Sequence, residues 1–281
     1  MSDSKITRLP KQTVELEISI PWTEIKSTYE DIIKSVSQTA ELKGFRKGKA
    51  PKSLVEEQTD KKKVYEEVIK KIIPKAYTEA LSLHKLIPVM SPRIEILKAK
   101  EGDTWSVKAT IALKPIVNLK NYKENLKKLK QSKVKLWTPG QDKTKKDDKL
   151  ALEEIITALI KEVEIEISDE LIKNESNRLL ADLVDQTGKV GLTIEQYLIS
   201  KGKTNEQLRS EYAQTARRNL TLEFTLLAIA DSEKITVDQS DIDKLLEKVE
   251  NKEEKEKLAK DSYYLAHLIR QQKTIDFLNN L

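Results

Sequence analysis

Two stretches of alternating apolar residues, far apart in the chain, limit what it can fold into more than any other feature. In the first, Val14, Leu16, Ile18 and Ile20 alternate with Glu15, Glu17 and Ser19; in the second, Trp105, Val107, Ala109, Ile111 and Leu113 fall on one side. A period of two is that of a strand with one buried face. A further strand is predicted over Arg93–Lys98. Between the strands the period changes. Pro21 opens a helix carrying Trp22, Ile25, Tyr29, Ile32, Ile33 and Val36 at helical spacing, and a short helix lies around Leu54 and Val55. Asp60 can cap a longer helix with Val64, Val68, Ile69, Ile72, Ile73, Ala76, Tyr77 and Leu81 on one face, and Pro74 inside it should introduce a kink. A sheet whose helices are bunched in the middle of its sequence is an α+β arrangement.

After Pro115 the pattern changes. Lys123–Lys149 holds ten lysines against four acids, broken by Trp137-Thr138-Pro139-Gly140, and is expected to be a linker, partly extended and partly disordered. Beyond Asp148 every signal is helical. One stripe runs from Leu152 to Val163 and a second from Leu171 to Leu183. Thr193-Ile194-Glu195-Gln196 and Thr204-Asn205-Glu206-Gln207 are capping boxes that each start a helix, the second reaching towards Asp231. Two more helices follow, near Ile242–Val249 and Lys257–Leu278, with Gly188, Gly191 and Gly202 expected between helices. Long helices on short loops imply an elongated all-α half with extended arms.

The chain has 281 residues, enough for about two domains. Charged residues make up 35% and aromatics 5%, which favours long, charge-laced helices over an aromatic sandwich. The net charge of +5 is too small for a polycation, so any attraction to nucleic acid must be local. Cysteine is absent, which removes disulfide and thiol chemistry and suits a reducing compartment. Met1–Lys5 lacks a signal-peptide core, and Leu220–Ala230, interrupted by Glu223, is too short to span a bilayer; a cytoplasmic location with no membrane partner is expected.

Catalytic chemistry finds little support. The two histidines, His84 and His267, are read as surface or core-edge residues, and no phosphate loop, HExxH or nucleophile elbow is present. No catalytic residue, metal site or cofactor is expected. The Lys123–Lys149 run is read first as a solvated spacer, with RNA binding as an alternative that is weakened by having Trp137 as its sole aromatic. The remaining candidate is Gly44-Phe45-Arg46-Lys47-Gly48-Lys49-Ala50-Pro51. Two glycines permit unusual backbone angles, and one large aromatic stands among three cations. From the residues alone two readings stand level: an ordinary basic loop with Phe45 tucked into the core, or an exposed tip suited to an apolar crevice in an anionic surround.

That loop resembles the ribosome-docking signature GFRxGxxP of the trigger factor family of bacterial chaperones. Gly191-Leu192-Thr193-Ile194-Glu195-Gln196-Tyr197-Leu198 is similar to a GLTLEQYL-like segment of the family's helical C-terminal domain. Leu152–Ile156 and Val163–Ser168 resemble the segment that opens that domain. The resemblance implies an α+β ribosome-binding domain over 1–118 and an elongated all-α, SurA-like helical domain with arms over 150–281. The interval 119–149 would stand in place of the family's FKBP-like prolyl isomerase domain, since so short a segment cannot build one. The implied function is an ATP-independent chaperone rather than an enzyme. It would bind the large ribosomal subunit near the exit tunnel, through a ribosomal protein and nearby rRNA, and receive nascent polypeptides; the family also allows a weak homodimer. Phe45 would enter the apolar crevice, Arg46 and Lys47 would pair with carboxylates or phosphates, Gly44 and Gly48 would shape the turn, and Lys49 would assist. The alternatives are a prolyl isomerase, as in full-length relatives, and an RNA-binding protein.

Overall fold

The computed structural model describes residues 3–40, 45–48, 51–134, 152–247 and 261–281. They form two compact units, Met1–Lys114 and Pro115–Leu281.

In the first unit, strands β1 (Asp3–Leu9), β2 (Thr13–Ile20), β3 (Arg93–Lys98) and β4 (Trp105–Ala112) form one antiparallel sheet in the order β1-β2-β4-β3. The two alternating stretches lie side by side at its centre. Ile20 pairs with Trp105, Ile18 with Val107, Leu16 with Ala109 and Val14 with Ile111, and all eight are at most 2% exposed. Directly paired residues share a face, so the two patterns merge into one apolar surface. Helices α1 (Trp22–Thr39) and α3 (Lys61–His84) cover that surface with Ile25, Ile32, Ile33, Val64, Val68, Ile72 and Ile73. The Asp60 carboxylate accepts from the Lys62 N–H at 3.0 Å, capping α3 as expected. That helix runs unbroken through Pro74 and stops where Lys85 turns left-handed, at φ 52°.

The sequence pattern did not reveal β1. Its hairpin turn has positive φ at both central residues, Lys11 (59°) and Gln12 (54°), with the Thr13 N–H donating to the Pro10 carbonyl. This mirror-image turn matches strand twist, but it favours Asn-Gly, and Lys-Gln carries no such signal.

The second unit holds β5 (Val117–Asn118), α4 (Tyr122–Val134), α5 (Leu152–Glu162), β6 (Glu164–Ile165), α6 (Asp169–Lys189), α7 (Ile194–Lys201), α8 (Asn205–Ser232), α9 (Gln239–Glu247) and α10 (Ser262–Asn279). Here the expected linker needs correcting. Tyr122–Val134 is a helix, and Tyr122 and Leu126 are buried with Ile155, Leu159, Leu226, Ile229 and Leu278. The Tyr122 hydroxyl donates to Glu233 at 2.9 Å, and Lys123 pairs with the same carboxylate at 2.7 Å. Strands β5 and β6, two residues each, pair antiparallel. The rest of the expected linker, 135–149, including Trp137–Gly140, lies outside the described residues. Both capping boxes form, with Thr193 and Gln196, and Thr204 and Gln207, satisfying one another's backbone N–H groups. A separate small core of Leu183, Leu198 and Leu208 joins α6, α7 and α8. Gly188, expected between helices, belongs to the last turn of α6.

Replacing Lys11-Gln12 with Asn-Gly should stabilise the first unit by about 1 kcal/mol, by relieving left-handed strain at non-glycine residues. Urea unfolding followed by tryptophan fluorescence, with Trp22 and Trp105 as reporters, measures it.

Candidate functional site

The basic loop leaves the end of α1 at Ala40 and enters α2 (Lys52–Gln58), with Pro51 at the helix start. It is closed at its base. The Gly48 N–H donates to the Ala40 carbonyl at 3.1 Å, joining the two sides across the turn. At Gly48 φ is +70°, and a Cβ there would lie 2.6 Å from the Gln38 carbonyl oxygen. Backbone angle and close approach therefore both require glycine.

With the base closed, Phe45 is 43% exposed, and Arg46 and Lys47 are exposed beside it. The structure thus decides between the two open readings: the aromatic is not tucked into the core. An exposed ring beside two cations carries both an apolar and an electrostatic handle. Gly44 and Lys49, the other two candidates, lie outside the described residues.

Below the loop, α1 and α2 are fastened by contacts that the sequence pattern gave no means of finding. Val55, buried at 1% exposure, anchors α2, and the Tyr29 hydroxyl of α1 donates to Glu56 of α2 at 3.0 Å. The Tyr29 ring also lies 5.2 Å from that of Tyr65 of α3, tilted by 39°, and Tyr65 in turn lies 6.0 Å from Trp105 of β4. This chain of rings ties both sides of the loop to the sheet. Burial, then the Glu56 hydrogen bond and its charge, push the Tyr29 phenol up to about 12.

The histidines lie elsewhere. His84 shares a 3.0 Å hydrogen bond with the Ser4 hydroxyl, and His267 stands 3.8 Å from Glu223. Among the described residues no group of three or more His, Asp or Glu side chains is placed to hold a metal, and no helix is long and apolar enough to cross a membrane.

In the helical unit a groove of about 430 Å³ runs between α6 and α8. Ile172, Leu180 and Ala213 line it together with Lys173, Arg209 and Arg217. Val184, Val190, Leu192 and Ile199 are exposed around α6 and α7, Ile199 at 80%.

An α+β unit bearing a closed, aromatic-tipped basic loop, joined to an all-helical unit with exposed apolar side chains, defines a class of two-part, site-presenting proteins without a recognisable catalytic centre among the described residues. The family models are specific about which. The model of the bacterial trigger factor protein matches residues 2–138, and that of the trigger factor C-terminus matches 120–280. The chain belongs to the trigger factor family. Trigger factor from Natranaerobius thermophilus is 33% identical over 116 residues, covering 41% of this chain and 26% of that protein. That from Desulforamulus reducens is 32% identical over 158 residues, covering 50% and 36%. The matched stretches thus span about a quarter to a third of these curated relatives. A solved structure from work on promiscuous substrate recognition in the folding and assembly activities of the trigger factor chaperone has the same fold. Its TM-score is 0.66 with 13% identity, over 99% of each chain.

Two outcomes test the site's construction. Gly48→Ala should lift the protection of the residue-48 amide in hydrogen exchange and cost about 1–2 kcal/mol locally. The raised Tyr29 pKa stabilises the fold fully below the unfolded value of 10.0 and loses that contribution as pH rises through about 12. Between those limits Tyr29→Phe should show a shallower fall in stability than the wild type in pH-dependent urea melts.

Proposed function

We propose that this chain is an ATP-independent chaperone that docks on the large ribosomal subunit near the exit tunnel and holds nascent polypeptides as they emerge. The observation that carries this reading is Phe45, exposed beside Arg46 and Lys47 on a loop that Gly48 locks, within a member of the trigger factor family. The ring would fill an apolar crevice on a ribosomal protein. The guanidinium and ammonium groups would take carboxylates or rRNA phosphates, giving a reversible, salt-sensitive attachment. Gly44 and Lys49 are proposed to complete the loop's contact surface. Residues 1–118 would be the ribosome-binding part and 150–281 the cradle, with Tyr122–Val134 counted with the cradle because its apolar face packs there. In this reading the protein works in the cytoplasm, and any homodimer is weak.

The cradle would act without a cofactor. Exposed apolar residues on α6 and α7, and a groove mixing aliphatic side chains with lysine and arginine, suit many sequences held weakly. We also propose that the chain has no prolyl isomerase activity. The N- and C-terminal family matches overlap at 120–138, leaving no interval between them for an interposed domain.

Co-sedimentation with ribosomes tests docking. Phe45→Ala, Arg46→Ala and Lys47→Ala combined should reduce the bound fraction at least about tenfold, the size of a lost aromatic anchor and two ion pairs. Binding by the wild type should weaken as salt rises. Undiminished binding by the triple variant removes the docking proposal, and proline-peptide isomerisation well above background removes the non-enzymatic one.

A further inference from the structure

The sheet has two edges, and they are built differently. Strand β1 exposes Asp3, Lys5, Thr7 and Arg8; of its two apolar residues, Ile6 is half-buried against the core and Leu9, at the hairpin end, is 38% exposed. That is how an edge is normally protected from added strands. Strand β3 reverses the arrangement: Glu95 is its least exposed residue, while Ile94, Ile96 and Leu97 are 40%, 45% and 54% exposed. Ile94 pairs with Ala109 and Ile96 with Val107, so both isoleucines lie on the helix-facing side of the sheet, beyond the area that the helices cover. The edge is prolonged upstream, where Pro88 bridges Leu113 and the Val89 N–H donates to the Ala112 carbonyl at 3.1 Å. Ile87 and Val89 there are 81% and 40% exposed.

We propose that the β3 edge binds an extended, apolar segment of unfolded polypeptide by adding it to the sheet as a further antiparallel or parallel strand. An edge strand presents a row of unpaired backbone N–H and C=O groups, which supply binding energy irrespective of the guest's sequence. Ile94 and Ile96 would bury the alternate side chains of the guest. Charge places no demand on it: Glu95 is compensated by Arg93 at 3.3 Å and Lys108 at 3.6 Å, and Lys98 by Asp103 at 3.0 Å. The bulge between Ile96 and Lys98 marks the downstream limit, so the guest strand is short, about six residues or 20 Å. A second copy of β3 is a restricted guest. Its fully overlapped antiparallel register sets Arg93 opposite Lys98 at both ends and the register centred on Glu95 opposes two carboxylates, which leaves the register centred on Ile96 as the one of these three without directly opposed like charges. The inference deepens the chaperone reading and rests on it for its biological meaning, although the binding itself can be measured without ribosomes.

The test uses the full chain and a fluorescent, uncharged octapeptide of alternating valine and threonine, together with the same peptide N-methylated at every amide, so that neither edge of the guest can donate. The wild type should bind the first and bind the second at least about tenfold more weakly, because strand addition needs the amide protons. Ile94→Lys with Ile96→Lys should lose about tenfold for the unmethylated peptide, and Ile94→Thr with Ile96→Thr, which keeps the branched shape, should lose less. Equal binding of both peptides, or unchanged binding by the lysine variant with its unfolding midpoint intact, overturns the proposal. So does wild-type self-association in sedimentation equilibrium that the lysine variant abolishes, since the edge would then belong to a second copy. Suppression of aggregation of an unfolded protein, run in parallel, separates the two ideas. Equal suppression by wild type and lysine variant with unaltered peptide binding defeats the edge and leaves the chaperone reading standing. Peptide binding without any suppression does the reverse.

Discussion

The pairing of β2 with β4 is the constraint on which the first unit depends. It joins Thr13–Ile20 to Trp105–Ala112, with the sequence of both packing helices between them. Closing so long a loop costs entropy before any contact repays it, although the cost grows only slowly with length. Repayment comes from eight inner side chains that are almost wholly buried, and from α1 and α3, which can bury their apolar faces only once that surface exists. The basic loop hangs from the end of α1, so its position is inherited from this central ladder. The tilted ring contacts of Tyr29, Tyr65 and Trp105 carry that inheritance across three elements towards the loop.

How much of this could be read in the sequence depends on whether the deciding interaction is local. The β2 and β4 alternation, the Asp60 cap and both threonine capping boxes are signals carried within a few residues, and each appears where expected. Strand β1 escaped because its turn uses Lys11 and Gln12 at positive φ, a conformation that residue identity gave no reason to expect. Helix α4 escaped for a different reason. Leu119, Tyr122, Leu126 and Leu129 have helical spacing, but lysines surround them and the segment looked like a solvated spacer. In the folded unit those lysines are part of the packing. Lys123 lies over the Phe277 ring, and Lys130 donates to the Asn279 carbonyl at 2.7 Å. A long lysine stem can lie on apolar surface while its ammonium finds a partner, so charge density alone is a poor guide to disorder. The exposure of Phe45 was undecidable from residue types, because either environment suits an aromatic beside cations; the closure at Gly48 and the surrounding packing decide it.

The helical unit distributes its apolar material differently from the first unit. Its buried residues form separate small clusters, one joining α4, α5, α8 and α10 and another joining α6, α7 and α8. The 28 residues of α8 pass through both. Small cores on a long shared helix leave apolar side chains uncovered between and around them, as Val184, Val190 and Ile199 are. In most soluble proteins such surface is a liability. In the α6–α8 groove Ile172, Leu180 and Ala213 stand beside Lys173, Arg209 and Arg217, a mixture that in the proposed function would offer weak contact to many sequences.

Rigidity and tolerance are therefore placed in different parts of the chain. The basic loop is closed by a backbone hydrogen bond at a position where no side chain fits, which in the proposed docking would lower the ordering cost that Phe45 meets on entering a partner. Pre-organisation of this kind favours one fixed partner geometry. As proposed guest sites, the β3 edge and the α6–α8 groove would need the opposite property. In the proposed binding, backbone pairing at the edge and mixed aliphatic and cationic lining in the groove would place few demands on the guest's sequence, at the expense of affinity. Under the proposed function, a single address combined with many possible passengers would require one strict surface and several permissive ones, and the strict surface would be the one built around Gly48.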